Sequence, residues 1–250
     1  MSYLELNKIS MQFNSHHVLD NLSFSVQEGE ILVILGPSGC GKTTLLNVIG
    51  GFLEPTGGDI LLKSNSIRGQ KGKFAYMFQE DRLLPWRTLV ENVLLPDEID
   101  GDDVVSTEKA QDYLNRMGLG KFEKYYPLQL SGGMRKRAAL ARTFNLGKEL
   151  ILFDEPLVSI DYDLGLELER QIFEHILKEG RTAIIVTHSY DTAVALADRI
   201  ILLTNSPTRV MHEFKAGFAR EHNSPTGARK SNGFFSLTKE LLDVFQGDHK

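Results

Sequence analysis

The segment GPSGCGKT, from Gly36 to Thr43, constrains the fold of this chain more than any other feature of its sequence. It directly follows the aliphatic run from Ile31 to Leu35 and precedes a predicted helix that ends near Gly50. The pattern G-x-x-x-x-G-K-[ST] between a buried strand and a helix is typical of phosphate-binding loops, whose glycines let backbone N–H groups converge on phosphate oxygens. The sequence therefore predicts an α/β protein that binds a nucleoside phosphate at this turn.

Composition excludes several other classes of protein. The chain has 250 residues, of which 42% are hydrophobic and 24% charged, so it can bury a large core. Its net charge of −5 disfavours nucleic acid as a partner. The single cysteine, Cys40, excludes an intrachain disulfide and a multi-cysteine zinc site. With no apolar run near the roughly 20 residues of a membrane span and no signal-peptide pattern, we expect a cytoplasmic chain.

Aliphatic strands alternate with helical segments through the second half of the chain. LILFD at 150–154, TAIIVTH at 182–188 and RIILLT at 199–204 are predicted strands. Residues 3–34 alternate in polarity before the aliphatic run, and 57–62 also reads as a strand. This order predicts a parallel sheet covered by helices, with further strands at the N-terminal end.

The remaining segments are predicted from polarity and helical spacing. Residues 107–117 and 134–146 look helical. The acidic stretch 96–108 is predicted to be a solvated loop, and 222–233, which is polar with Gly, Pro and Ser, a loop or disordered link. Residues 237–245 are predicted to form a short amphipathic helix.

Two acids follow the predicted strand LILFD. Ligands collect at the carboxyl ends of strands in an open parallel sheet, so Asp154 and Glu155 are expected near the phosphate loop. Asp154 would hold Mg²⁺ through water, together with the hydroxyl of Thr43. Glu155 would orient or deprotonate an attacking water, and Lys42 would reach the β- and γ-phosphates.

The segment LSGGMRKRAALAR, residues 130–142, indicates a second anion-accepting helix start, because Ser131 is a good N-cap before two glycines. A second anion site is explained if it binds a nucleotide that is held by the phosphate loop of another copy of the chain. The alternative is a capped helix with no ligand. His188 ends another aliphatic strand, where it is either structural or a donor to the γ-phosphate.

From residue 3 to about 210, the sequence resembles the ATP-binding-cassette (ABC) ATPases, with its motifs in the family's order. GPSGCGKT resembles the Walker A loop, LSGGM the signature motif and LILFDEP the Walker B motif. His188 matches the family's switch histidine, and Gln79 its Q-loop glutamine. Asp161, in VSID, resembles the D-loop aspartate, and Phe13 lies where the family usually carries an aromatic that stacks on adenine.

The resemblance implies a fold and a division of the chain. The expected fold is a P-loop NTPase (RecA-like) core with an N-terminal antiparallel β subdomain and an inserted α-helical signature subdomain. The ABC ATPase domain would cover 1–210, with its core at about 1–88 and 147–210 and the helical subdomain at about 89–146. Residues 211–250 would form a C-terminal extension that is partly loop.

The resemblance also implies that two copies form a homodimer and clamp two ATP molecules with Mg²⁺. It assigns nucleotide binding to Phe13, Gly36, Pro37, Ser38, Gly39, Cys40, Gly41, Lys42, Thr43 and Thr44, with Ser131, Gly132 and Gly133 acting from the other copy. It assigns catalysis to Lys42, Gln79, Glu155 and His188, and metal binding to Thr43, Gln79 and Asp154.

Finer resemblance, in FQEDRLLPWRTLVENV and LSGGMRKR, points to the importers of nitrate, sulfonates, taurine and related solutes. It implies an integral-membrane permease as partner, an extracytoplasmic solute-binding protein as an indirect partner, and a peripheral location on the cytoplasmic face of the cell membrane. Trp86 is then an exposed interface anchor rather than core, and Arg135, Lys136 and Arg137 are predicted to form a solvated face.

Two other functions are weighed against the importer. A soluble cassette ATPase that works without a permease usually carries two cassettes or a long coiled coil, and no heptads separate Lys42 from Leu130. A small-molecule phosphotransferase would need a lid and an acceptor pocket but not LSGGM.

Overall fold

The computed structural model describes residues 2–100, 106–158 and 160–247, which form two sheets and the helices that cover them. The strands are β1 (Leu4–Phe13), β2 (His16–Val26), β3 (Ile31–Leu35), β4 (Gly57–Leu62), β5 (Asn65–Ser66), β6 (Ala75–Met77), β7 (Leu150–Asp154), β8 (Thr182–Thr187), β9 (Arg199–Leu203) and β10 (Val210–Lys215). The helices are α1 (Lys42–Ile49), α2 (Leu89–Asp100), α3 (Thr107–Arg116), α4 (Gly132–Asn145), α5 (Tyr162–Glu179), α6 (Tyr190–Leu196), α7 (Phe218–Glu221), α8 (Pro225–Ala228) and α9 (Asn232–Gly247).

The larger sheet has the strand order β10-β9-β3-β8-β7-β6 and is parallel except for the edge strand β10. Every residue of β3, β7 and β8 is buried, which explains their continuous aliphatic sequences. Ile31 and Val33 belong to one hydrophobic core, with α4, α5 and α6, whereas Leu32 and Ile34 belong to a second core with α1. The phosphate-loop strand therefore lies at the centre of the sheet, between two layers.

The smaller sheet is antiparallel and has the order β2-β1-β4-β5. Its buried residues, such as Leu4, Leu6 and Ile9, pack in the same core as α1. The predicted P-loop NTPase core with an N-terminal antiparallel β subdomain is confirmed, as are the helices inserted between β6 and β7.

The acidic stretch 96–108 differs from the predicted solvated loop. Helix α2 continues through Pro96 to Asp100, and Ser106 caps α3 by accepting a hydrogen bond from the Lys109 N–H. Residues 101–105 lie outside the described residues. The prediction failed because α4 stabilises the end of α2: the Asn145 amide donates to the Val93 carbonyl at 2.9 Å and to Asp97 at 3.0 Å.

The segment 222–233, predicted to be a loop or disordered link, is an ordered run of turns that also contains α8 and the start of α9. Ser224 caps α8, with Pro225 at the first helical position. Helix α9 confirms the predicted amphipathic helix and is longer than expected. Its buried Phe234 and Leu241 share a core with α6, and β10 spans the boundary expected between 210 and 211. No helix in the described ranges is long and apolar enough to cross a lipid bilayer.

Candidate active site

The phosphate loop connects the buried end of β3 to α1, and its geometry requires glycine at two positions. A Cβ on Gly36 would lie 2.9 Å from the sulfur of Cys40 and 3.1 Å from the Cβ of Leu203. Gly41, the residue before α1, has a φ of +109°, and a Cβ there would lie 2.8 Å from Val18. The loop is therefore held tightly against β2 and β9, and its backbone encloses a cradle for an anion.

Lys42 points into this cradle. Its ammonium donates hydrogen bonds to the carbonyls of Gly36 and Pro37, both at 2.8 Å, and the side chain is buried. Cys40 is buried beside it, and burial raises the pKa of its thiol. The thiol is therefore neutral and packed in the protein interior. Cys40 would contact a ligand through its backbone. The loop thus carries one buried positive charge, at the place where a triphosphate would lie.

Asp154, at the end of β7, lies against the start of α1. The Thr43 hydroxyl donates to its Oδ1 at 3.0 Å, and the Tyr76 hydroxyl donates to its Oδ2 at 3.4 Å. Burial raises the pKa of this carboxyl, the Thr43 bond lowers it, and the charge of Glu155 raises it further. A buried carboxylate whose partners are neutral hydroxyls attracts a cation, and oxygens of Thr43, Gln79 and Asp154 are the hard ligands that Mg²⁺ prefers. These residues fit the predicted metal.

Glu155 and His188 form a pair beside the phosphate loop. Nδ1 of His188 lies 3.0 Å from both carboxylate oxygens of Glu155. The φ of Glu155 is +47°, and its N–H donates to the carbonyl of Val186 at 3.0 Å. A left-handed conformation costs a non-glycine residue of the order of 1 kcal/mol, and such strain concentrates at functional sites. The strained turn directs this carboxylate away from the sheet and toward the cradle.

One cavity of about 450 Å³ collects most of the predicted site. It is lined by Ser38, Gly39, Gly41, Lys42, Thr43, Thr44, Gln79, Glu155, Val158 and His188. Asp154 lines an adjoining cavity of about 550 Å³, which shares Thr43 and Gln79 with the first. The structure thus brings the phosphate loop, the metal-ligand candidates and the candidate base to the same edge of the sheet.

Two predicted groups lie apart from this cavity. Ser131 caps α4 by accepting from the Met134 N–H, and Gly132 and Gly133 line a different cavity with Asp161. Phe13 is half exposed at the end of β1, outside the set of described residues that line the phosphate cavity. Their nucleotide contacts remain predictions.

The basic residues at the start of α4 do not form the predicted solvated face. Lys136 is buried and donates to the carbonyl of Gln79 at 2.6 Å, and burial lowers its pKa. Arg135 pairs with Asp81 at 3.0 Å, and Arg137 donates to the carbonyl of Met117. The Lys136 and Arg135 bonds join the signature helix to the segment 79–81, and the Arg137 bond joins it to the end of α3. The local sequence does not indicate these bonds, because the acceptors are mostly backbone oxygens far away in the chain.

Comparison with known proteins agrees with this geometry. A family model described as ABC transporter matches residues 19–158. An uncharacterized ABC transporter ATP-binding protein, MJ0412 of Methanocaldococcus jannaschii, is 38% identical over 97% of this chain and 90% of its own length. The taurine import ATP-binding protein TauB of Roseobacter denitrificans is 37% identical over 88% of this chain and 84% of its own length.

A solved structure supports the same assignment. The dimeric structure of a post-hydrolysis state of the ATP-binding cassette MJ0796, bound to ADP and Pi, is similar with a TM-score of 0.76 and 28% identity. The match covers 85% of this chain and 98% of that one. The fold and site are those of a P-loop ATPase that binds ATP. The chain belongs to the ABC transporter family, as one of its ATP-hydrolysing nucleotide-binding subunits.

Proposed function

We propose that the chain energises an importer, as a homodimer that clamps two ATP molecules and docks on a separate membrane permease. The observation that carries the proposal is the separation of two anion-accepting sites within one copy. The phosphate loop, Glu155 and His188 share a cavity, while Gly132 and Gly133 open onto another. A second copy, turned by a two-fold axis, would bring its signature glycines to the first copy's γ-phosphate. The relative MJ0796 is dimeric.

The phosphate loop and the residues around it would bind the nucleotide and its metal ion. Backbone N–H groups of the loop and the Lys42 ammonium would bind the β- and γ-phosphates, and the ring of Phe13 would stack on the adenine. Thr43, Gln79 and Asp154 would hold Mg²⁺, which supplies positive charge against the developing charge on the phosphates. Glu155 would accept a proton from the attacking water, and His188 would orient this carboxylate and contact the γ-phosphate.

The permease would dock beside the Gln79 segment. Trp86 is 71% exposed, as an interface anchor requires, and Leu128 is 86% exposed. The chain on either side is fixed, since the Leu89 N–H donates to the Tyr125 carbonyl at 2.9 Å and Lys136 holds the Gln79 carbonyl. An apolar surface that is rigidly joined to a metal-ligand candidate suits a partner that must sense the nucleotide state.

The chemistry of the partner is inferred from this exposed apolar surface and from the names of the related proteins. An apolar, aromatic surface fits an apolar cytoplasmic helix of an integral-membrane protein, and several relatives are named taurine import ATP-binding proteins. The chain would then be peripheral, on the cytoplasmic face of the cell membrane. The solute would be nitrate-, sulfonate- or taurine-like and delivered by an extracytoplasmic binding protein.

We also propose that the chain is divided as the family resemblance implies. The ATPase domain would cover 1–210, with its core at 1–88 and 147–210 and its helical part at 89–146. Residues 211–250 would form a C-terminal extension.

The test is affinity purification of the chain from detergent-solubilised membranes of its own cell, with partners identified by mass spectrometry. A polytopic permease recovered in near-equal amount, and lost with Trp86→Ser, supports the importer. Leu177→Ser is the matched control, because Leu177 is a 40% exposed aliphatic residue on α5, outside the Gln79 segment, and the variant should retain the partner. Recovery only from the soluble fraction would favour the cassette ATPase that works without a permease.

A further inference from the structure

Arg229, at the end of α8, joins two helices that begin at the active site. Its guanidinium donates to both carboxylate oxygens of Glu169, at 2.7 and 2.9 Å, and its Nε donates to Asp191 at 2.8 Å. Glu169 is almost fully buried in α5 and Arg229 is mostly buried, whereas Asp191 is half exposed in the first turn of α6. Glu169 is also hydrogen-bonded to the side chain of Thr192 in the first turn of α6, so Arg229 adds a second link between α5 and α6, through Asp191.

Both helices carry site residues at their N-terminal ends. Helix α5 begins directly after Asp161, which lines the cavity of the signature glycines and caps the helix through the Leu164 N–H. Helix α6 begins two residues after His188, and Ser189 between them caps it through the Thr192 N–H at 3.2 Å. A displacement of the first turn of α6 would therefore move the His188 imidazole relative to Glu155.

We propose that Arg229 is a positioning residue for ATP hydrolysis, which holds the first turn of α6 against α5 so that His188 stays in contact with Glu155. This inference rests on the proposed function for the roles of His188 and Glu155. It gives the C-terminal segment a part in the chemistry, although none of its residues lines the phosphate cavity among the described residues.

The energetics of the three charges favour positioning over simple stabilisation. A buried ion pair is weak evidence for stability, because desolvation offsets most of the attraction. The bond to the half-exposed Asp191 adds little, because water screens it. Yet the planar guanidinium, bidentate on Glu169, gives this last bond a fixed direction. Such an arrangement contributes geometry more than free energy of folding.

The chain offers a matched control in Arg220, which anchors the same C-terminal segment at the other end of the sheet. Its guanidinium pairs with Asp198, whose Oδ2 accepts from the Ile31 N–H at the start of β3. Losing this pair loosens the segment without touching α5 or the first turn of α6. A purely structural role for the C-terminal ion pairs predicts equal effects of Arg220 and Arg229 variants on activity.

The experiment compares full-length Asp191→Ala, Arg229→Lys and Arg220→Gln with the unaltered chain, measuring kcat and KM for MgATP and the melting temperature. Asp191→Ala removes only the exposed arm, so it tests positioning without leaving Glu169 unpaired. We expect its kcat to fall about two- to fivefold, because a screened ion pair can bias the position of the first turn of α6 by no more than about that factor. KM for MgATP should stay within about twofold of the unaltered value, since the phosphate loop is unchanged. The kcat of Arg229→Lys should lie between those of the unaltered chain and Asp191→Ala.

A second measurement does not depend on turnover. The ¹³Cε1 signal of His188, assigned by its loss in His188→Gln, should move in Asp191→Ala and stay in place in Arg220→Gln. If kcat falls equally in Asp191→Ala and Arg220→Gln, or the His188 signal is unmoved by Asp191→Ala, Arg229 is structural only. If membrane purification recovers no permease, the proposed importer function fails, while kcat and the His188 signal still decide whether Arg229 positions that ring.

Discussion

Replacing Asp154 by asparagine should stabilise the nucleotide-free protein and abolish its activity. The carboxyl is buried, and the groups that bond to it are the neutral hydroxyls of Thr43 and Tyr76. Since burial raises its pKa, the charged form is less favourable in the folded chain than in the unfolded chain. The charge therefore lowers stability at neutral pH, and this penalty disappears as pH falls through the raised pKa toward the ordinary value of 3.8.

The size of the effect follows from what asparagine keeps. Its amide oxygen still accepts from Thr43, and its NH₂ can donate to the hydroxyl oxygen of Tyr76, so no buried polar group loses its partner. The charge of Lys42 lowers the pKa of Asp154 but does not outweigh burial. Removing the buried carboxylate charge should then raise the free energy of unfolding by about 1–2 kcal/mol, within the range of stabilising changes at functional sites. For a chain of this length, that corresponds to a melting temperature about 2–8 °C higher.

Differential scanning fluorimetry at pH 7.5, with and without MgATP, measures both sides of the prediction. At 100 times its Kd, MgATP should stabilise the unaltered protein by about 2.7 kcal/mol. The Asp154→Asn variant should gain much less and lose at least about 100-fold in turnover. Asp154→Ala is the control, because it removes the acceptor of the Thr43 hydroxyl and leaves the Tyr76 hydroxyl only Asn47, so it should melt lower. If Asp154→Asn melts as low as Asp154→Ala without nucleotide, the buried charge is not a net cost.

Three further predictions concern other parts of the site. Gly41→Ala should cost about 1–3 kcal/mol in urea denaturation, because it combines a positive φ with a clash at Val18; an equal loss in Gly39→Ala, where a Cβ meets open space, would contradict the role of the clash. Lys136→Met should lower kcat about tenfold, because the Gln79 carbonyl loses the bond that holds it. The free energy of unfolding should change by less than about 1.5 kcal/mol, because the cost of the unpaired carbonyl is offset by removal of a buried ammonium. An unchanged kcat would show that this bond does not hold Gln79. Ser131→Arg should bind ATP but stay monomeric in size-exclusion chromatography with MgATP, and normal hydrolysis by this variant would remove the signature motif from the partner's site.

The parts of the fold that the sequence predicted correctly are those set by local pattern. The aliphatic runs of β3, β7 and β8 follow from burial on both faces, and the phosphate loop follows from its glycines and the flanking elements. The wrong predictions involve residues whose partners are distant in the chain. Asp97 was predicted to lie in a solvated loop, because nothing in the nearby sequence indicates its contact with Asn145, 48 residues away.

In the candidate site, too, local pattern predicted some contacts and missed those between residues distant in the chain. Glu155 and His188 follow predicted parallel strands, so their meeting at one edge of the sheet could be expected from topology. Nothing in the local sequence indicates that Lys136 reaches the carbonyl of Gln79, or that Arg229 reaches Glu169 across 60 residues. Long basic side chains bury their methylene groups and find acceptors that hydrophobic periodicity does not reveal.

The hydroxyl of Thr208 donates to the carbonyl of Cys40, 168 residues earlier in the chain, and its backbone pairs with Val18 and Asp20 beside the phosphate loop. During synthesis the loop therefore emerges from the ribosome long before the residue that supports it. Contacts at such separations form late, since the intervening chain must first be ordered. Nascent chains should acquire ATP affinity only after Thr208 has left the exit tunnel, so a stalled chain that ends before it would be exposed to proteases and chaperones without ligand protection.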